Sequence, residues 1–285
     1  MRNLLKEIAE SAKERVEARK KIHPPEEVME IAHSGGDSID GDFPFEKALT
    51  SGDIAFICEI KKASPSKGVI ADDFPYLDIA REYESAGAAA ISVLTEPYYF
   101  KGDDRYLREI ADVVSIPLLR KDFTIDDYMI YEAKILGASA VLLICSILSD
   151  DALAEYIAIA HGLGLSALVE AHDEKEVAAA LRAGARIIGV NNRNLKTFEV
   201  DISLSERLRK IVPPDIIFVA ESGIKSPEDV SKLREIGASA VLIGEAIMRS
   251  PDKHSEILRL RGKSVWKPLK TPKSRLATEP KAEFT

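Results

Sequence analysis

A chain of 285 residues, 46% hydrophobic and 30% charged, can bury a substantial core and is too apolar to be read as disordered. Its formal charge of -8 and pI of about 5.4 argue against nucleic acid as the main partner, because phosphate neutralisation needs a basic surface. Small anions stay open, since a local field can oppose the net charge. No apolar run approaches the roughly 18 to 20 residues that span a bilayer, and the N-terminal stretch is charged throughout rather than built as a signal peptide. A cytoplasmic protein with no membrane partner is expected.

Leu4, Leu5, Ile8, Ala12 and Val16 share one helical face, predicting an amphipathic helix from residue 3 to about 22 that His23-Pro24-Pro25 ends. A second short helix is expected over 25 to 32, and loop through Gly35-Gly36 up to Pro44. This leader of about 50 residues precedes the first strand. From residue 53 onward, short Val/Ile/Leu-rich runs alternate with amphipathic segments. Strands are predicted over 54 to 60, 89 to 94, 117 to 120, 139 to 144, 165 to 169, 186 to 190, 216 to 220 and 240 to 243. Helices are predicted over 75 to 86, 103 to 114, 126 to 136, 149 to 162, 173 to 183, 203 to 211 and 226 to 236, with another after Gly244 and one more to about Leu260. Cys58 and Cys145 both fall in apolar strand-like runs, which predicts buried thiols rather than a disulfide or a metal site.

An internal echo supports eight strand-helix units. Gly87, Gly137, Gly184 and Gly237, each set between a helix and an even-numbered strand, recur 50, 47 and 53 residues apart, and each suits the left-handed residue that stops a helix. Eight such units in about 200 residues is the size of a (β/α)8 TIM barrel. An open doubly wound sheet is the alternative, but no G-x-G-x-x-G follows the first strand. A single barrel domain is expected over 1 to 262, leader included. Residues 263 to 285, rich in Lys, Pro and Thr, read as a disordered basic tail.

In such barrels the active site forms at the C-terminal ends of the strands. There the chain carries Glu59 and Lys61, then Arg120-Lys121-Asp122-Phe123, Glu170, Asn191-Asn192-Arg193 and Glu221-Ser222-Gly223. Taken alone, Glu59 and Lys61 read equally as a surface ion pair contributing roughly 0 to 1 kcal/mol. Several charged groups aimed at one mouth point instead to proton-transfer chemistry, with burial and cationic neighbours expected to lower a lysine towards the range useful for general acid work. Backbone N-H groups at Gly223, Gly244 and Glu245 form a candidate phosphate cradle.

Together and in order, E-x-K-x-x-S-P-S, L-T-E-x-x-Y-F-x-G, K-D-F, E, N-x-R and E-S-G at successive strand ends resemble the indole-3-glycerol-phosphate synthase family of tryptophan biosynthesis. The resemblance covers roughly residues 1 to 250, leader included. It implies ring closure, decarboxylation and dehydration of 1-(2-carboxyphenylamino)-1-deoxyribulose 5-phosphate, with no metal and no organic cofactor. It also implies a phosphorylated anthranilate-derived substrate as partner, with other enzymes of the pathway as candidate partners. Carried over by position, Lys121 is the expected general acid, Glu170 its acid/base partner in dehydration, and Lys61, held by Glu59, the second essential lysine, with the division between the two lysines left open. Asn191 and Glu221 are expected to position hydroxyls and the anthranilate nitrogen, Arg193 to hold the anionic substrate, Ser64 to contact its carboxylate, and Ser222, Gly223, Gly244 and Glu245 to line the phosphate site. Phe100, Phe123 and Leu195 are candidates for the apolar slot. Glu245 is expected to turn its carboxylate away and offer only its N-H. Another phosphate-binding barrel of the same pathway, or a non-catalytic barrel that senses a phosphorylated metabolite, are the competing readings.

Overall fold

The computed structural model describes residues 4–34, 42–194 and 197–262. After β1 (Ala55–Ile60) comes a small antiparallel hairpin, β2 (Ala63–Ser64) with β3 (Gly68–Val69), then β4 (Ala90–Leu94), β5 (Leu118–Lys121), β6 (Ala140–Ile144), β7 (Ser166–Ala171), β8 (Ile187–Asn191), β9 (Ile217–Glu221) and β10 (Ala240–Ile243). Hairpin apart, the strands run parallel and close into one barrel in the order β1-β10-β9-β8-β7-β6-β5-β4. Ile57 of β1 closes the ring, opposite Ala90 on one side and Leu242 on the other. The eight expected strands are therefore present, within two residues at each end.

Strand alternation sorts the side chains. Ala55, Ile57, Ala90, Leu119, Ala140, Leu142, Leu168, Ile187, Val219, Ala240 and Leu242 form the inner cluster, while their neighbours Phe56, Cys58, Ile91, Val93, Leu118, Val141, Val169 and Phe218 belong to the outer one. Against that outer surface pack α4 (Tyr76–Ser85), α5 (Asp104–Ala111), α6 (Tyr128–Ile135), α7 (Asp150–Gly162), α8 (Glu174–Arg182), α9 (Ser203–Arg209), α10 (Pro227–Glu235), α11 (Glu245–Arg249) and α12 (Lys253–Leu260). A strand buried on both faces has to read as a continuous apolar run rather than as an alternating one.

The leader contributes α1 (Leu4–Lys20), α2 (Pro25–Ser34) and α3 (Pro44–Thr50). On α1, Ile8, Ala12 and Val16 are buried, and Arg15, Arg19 and Lys20 reach Asp122, Glu132 and Asp126 near the end of β5 and on the chain that follows it. The helix α3 falls where no element is expected from periodicity, because seven residues are too few to show one. It closes the opposite end of the barrel: Phe45 and Leu49 are buried in the inner cluster, and Glu46 accepts from Ser166 Oγ at 3.2 Å and Arg186 Nη2 at 2.7 Å. Most of the expected loop through Gly35-Gly36, and the expected tail at 263 to 285, lie outside the described residues. No helix among the described residues is long and apolar enough to cross a membrane.

The four echoing glycines all adopt left-handed conformations, with φ of 81°, 86°, 85° and 78° at Gly87, Gly137, Gly184 and Gly237. Each sits in the same double hydrogen bond; at the end of α8, Gly184 N donates to Leu181 O and Ala185 N to Ala180 O at 3.2 and 3.0 Å. Nothing lies within 4 Å of a Cβ built on Gly184, so a substitution there meets only backbone strain. Gly184→Ala is expected to lower stability by about 1 to 2 kcal/mol, and Gly184→Asn by clearly less, because Asn tolerates this conformation. Urea unfolding followed by circular dichroism checks this; equal losses for the two variants would contradict it.

Candidate active site

Alternation along β1 turns Ala55, Ile57 and Glu59 into the barrel and carries Lys61, two residues on, to the same side. Lys61 Nζ donates a hydrogen bond to Glu59 Oε1. A Cβ on Gly244, at the end of β10, would collide with that oxygen and lie 3.1 Å from Lys61 Nζ. The pair thus depends on the glycine across from it.

At the centre stands Lys121, whose Nζ donates to Glu170 Oε2 and to Glu221 Oε2, each at 3.2 Å. Burial alone would lower the lysine's pKa, but the charges of Glu221, Glu170 and Glu59 outweigh it and raise it. The lowering expected from the sequence does not occur, since three carboxylates on three strand ends surround one ammonium. The two carboxylates that share it are driven apart. Burial works to raise Glu170, yet the charge of Lys121 and that of His172, whose Nε2 lies 3.3 Å from Glu170 Oε1, hold it well below the usual range. Glu221 is pushed up to about 7 by burial, reinforced by Glu170 and Glu59, against the pull of Lys121. Two acids on one ammonium with opposite shifts divide the proton-holding roles between them. Glu221 Oε1 is buried without a hydrogen-bond partner, and it lies where a Cβ on Gly189 would be, so that glycine makes room for it.

Asn191, buried at the end of β8, accepts the N-H of Arg193 at 3.1 Å. Ser222 and Gly223 after β9 both take left-handed φ, 64° and 83°, which turns successive N-H groups to one side. The Glu245 carboxylate does not turn away. It is shared by Lys67 at 3.4 Å, Arg249 at 3.4 Å and Arg193 at 3.9 Å, and these cations, led by Lys67, keep its pKa low despite burial. Attraction to these three cations decides where the carboxylate points.

The rest of the wall is apolar. The Phe100 and Phe123 rings stand 6.1 Å apart and tilted by 37°, with Leu4, Leu5 and Ile8 of α1 beside them. Phe100 is placed by Glu96, a fully buried carboxylate that accepts the N-H groups of Tyr98, Tyr99 and Phe100 at 3.0, 2.7 and 3.0 Å. Phe123 follows Asp122, whose carboxylate binds Arg15 Nη2 at 2.9 Å, Thr95 Oγ1 at 2.8 Å and the Phe123 N-H at 2.8 Å.

One cavity of about 280 Å³ opens among these strand ends. It brings together Glu59, Lys61, Ser64, Phe100, Lys121, Phe123, Glu170, Asn191, Arg193, Glu221, Ser222, Gly223, Gly244 and Glu245, as the strand ends predict. Leu195 lies outside the described residues. The α1 leucines, Phe198 and Arg249 join the wall without having been signalled; the apolar face of α1 was legible, its destination was not. Among the described residues no three or more His, Cys, Asp or Glu are grouped to hold a metal ion.

Comparison with known proteins bears on both fold and family. An N-acetylmannosamine-6-phosphate 2-epimerase from Clostridium perfringens superposes with a TM-score of 0.54 at 20% identity, over 68% of this chain and 88% of that one; at that identity the likeness concerns the fold alone. The family model for indole-3-glycerol phosphate synthase matches residues 5–260. The indole-3-glycerol phosphate synthase of Ruminiclostridium cellulolyticum is 60% identical over 261 residues, covering 91% of this chain and 99% of the relative. That of Lachnoclostridium phytofermentans is 50% identical over 90% of this chain and 98% of its own length. With a closed barrel, a filled set of strand-end residues and matches of this extent, the chain belongs to the indole-3-glycerol phosphate synthase family.

Proposed function

We propose that the chain closes the indole ring of indole-3-glycerol phosphate from 1-(2-carboxyphenylamino)-1-deoxyribulose 5-phosphate, releasing carbon dioxide and water, as a step of tryptophan biosynthesis. The observation that carries this reading is the Lys121 ammonium held between two unequal carboxylates at the floor of a cavity that is apolar on one side and cationic on the other. The phosphate takes the N-H groups of Ser222, Gly223, Gly244 and Glu245, with Arg193 and Lys67 nearby. The aromatic ring enters between Phe100, Phe123 and the α1 leucines. Its carboxylate lies towards Lys61 and Ser64. Residues 1 to 262 act as one domain in this reading, the leader forming a wall of the site, and the enzyme works in the cytoplasm.

Chemistry then follows from the placement of charge. Lys121 protonates the ketose oxygen as the ring carbon attacks the ketose carbon, since a fixed ammonium offsets the charge that grows on that oxygen. Carbon dioxide leaves, and the electron pair of the broken bond restores the aromatic ring. In dehydration Glu170, held ionised, accepts the proton lost from the adjacent ring carbon and passes it to the new hydroxyl, which departs as water. Glu221 Oε1, buried and unpaired, receives the anthranilate N-H.

Two outcomes are expected. Lys121→Ala and Glu170→Gln should each lower kcat by roughly 100- to 10,000-fold, the usual contribution of a positioned acid or base, with a smaller effect on KM; indole absorbance follows the reaction. Full activity in Lys121→Ala would end this assignment. Glu245→Gln removes an anion that competes with phosphate for Lys67, Arg193 and Arg249, so inorganic phosphate should inhibit this variant at roughly three- to tenfold lower concentration, on the order of 1 kcal/mol for one like charge near a surface. Unchanged or weaker inhibition would show that Glu245 supports the phosphate rather than opposing it.

A further inference from the structure

Proton balance in the reaction exposes a demand that the cavity residues alone do not meet. The ketose oxygen is protonated once to become a hydroxyl and again to leave as water, while only one proton is recovered from carbon. Carbon dioxide departs from a carboxylate and returns none. Each turnover therefore takes one proton from solvent. Yet the side chains of Lys121, Glu170 and Glu221 are only 13%, 2% and 2% exposed, and bound substrate covers the same mouth.

A second route reaches Glu170 from outside the cavity. His172 stands two residues beyond Glu170, on the same side of the chain as β7 ends, and does not line the cavity. Its Nε2 is 3.3 Å from Glu170 Oε1, while its Nδ1 is 3.2 Å from Glu176 Oε2 in the first turn of α8. Glu176 also accepts the His172 backbone N-H at 2.7 Å, which fixes the ring from below and keeps Nδ1 protonated. Nε2 is buried and out of line for a hydrogen bond, so its proton is committed to no other acceptor. The imidazole and the Glu176 carboxylate are 20% and 21% exposed, which brings water to this side.

We propose that His172, oriented by Glu176, is a positioning residue that returns the solvent proton to Lys121 through Glu170. The Nε2-H bond breaks as Glu170 Oε1 takes the proton, and the carboxyl, neutral for that moment, turns and gives the same proton to the Lys121 amine left by the first step, which leaves Glu170 ionised again. The neutral imidazole then recovers a proton from water. The direction is downhill. Burial would lower His172, but its contacts with Glu170 and Glu176 raise it to about 10, and Lys121 is raised above a starting value already higher. The ionisable groups around the ring are Glu170 on β7, Glu176 on α8, Lys121 beyond Glu170, and Cys145, whose thiol donates to the Glu176 carbonyl oxygen at 3.7 Å. Burial, with Glu176 and Glu170, pushes that thiol up to about 12, which leaves it a neutral bystander.

The inference rests on the ring-closure reading, and pre-steady-state kinetics separates the two. Rapid-quench measurement of product in His172→Ala should give a first turnover within about twofold of the unsubstituted protein, followed by a steady phase slowed at least roughly tenfold. Added imidazole should speed the steady phase of the variant and leave the unsubstituted protein unaffected. Glu176→Gln, which frees the ring without removing it, should show the same pattern more weakly, and carries the test if His172→Ala does not fold. First and later turnovers falling together, no loss in either phase, or no response to imidazole would each overturn the proposal. No product from the unsubstituted protein would instead overturn the ring-closure reading itself.

Discussion

One ammonium shared by two buried carboxylates is the constraint on which the rest of this structure depends. Lys121, Glu170 and Glu221 belong to β5, β7 and β9, strands that are not neighbours in the sheet. They meet only because the barrel closes and alternation turns each inward at the same height. Removing Lys121 would leave uncompensated charge in the interior, which costs several kcal/mol. The arrangement is stable as a set and intolerant of loss, a property it shares with groups kept for chemistry rather than for folding.

Around β5 the same alternation serves two purposes in adjacent residues. Lys121 points in, to Glu170 and Glu221; Arg120 points out, fully buried, and binds Asp104 at 2.8 Å and the Met129 carbonyl oxygen at 2.8 Å. Asp122 then reaches Arg15 of α1. The leader helix is thereby tied by ion pairs to the residues flanking the central lysine, and its leucines complete the apolar side of the cavity. Fold and cavity are joined at one strand end, so the leader lines the cavity as well as packing on the core.

Much of this was legible in the sequence for identifiable reasons. Eight apolar runs and four recurring glycines specify the barrel because parallel strands must be apolar on both faces and helices must stop before each strand. The i, i+2 rule placed Glu59 with Lys61 correctly, and it contained His172 as well, two residues after Glu170, though a histidine beyond a predicted strand end gives no sign of what it touches. What escaped depended on distance in space. Seven residues of α3 show no period, the target of the α1 leucines is set by tertiary packing, and the raised pKa of Lys121 reflects carboxylates 49 and 100 residues away along the chain. Glu245 was expected to avoid an anion site, whereas the nearby cations decide its position.

The central claim is that two carboxylates on one ammonium carry opposite shifts, and carbon-detected NMR titration of the glutamate side chains in the folded protein tests it most directly. The account predicts that the Glu221 carboxyl titrates near 7 while Glu170 stays ionised throughout the pH range in which the barrel remains folded. Both carboxyls titrating together in the ordinary glutamate range would contradict it, and would remove the physical basis for assigning them different parts in the proton transfers.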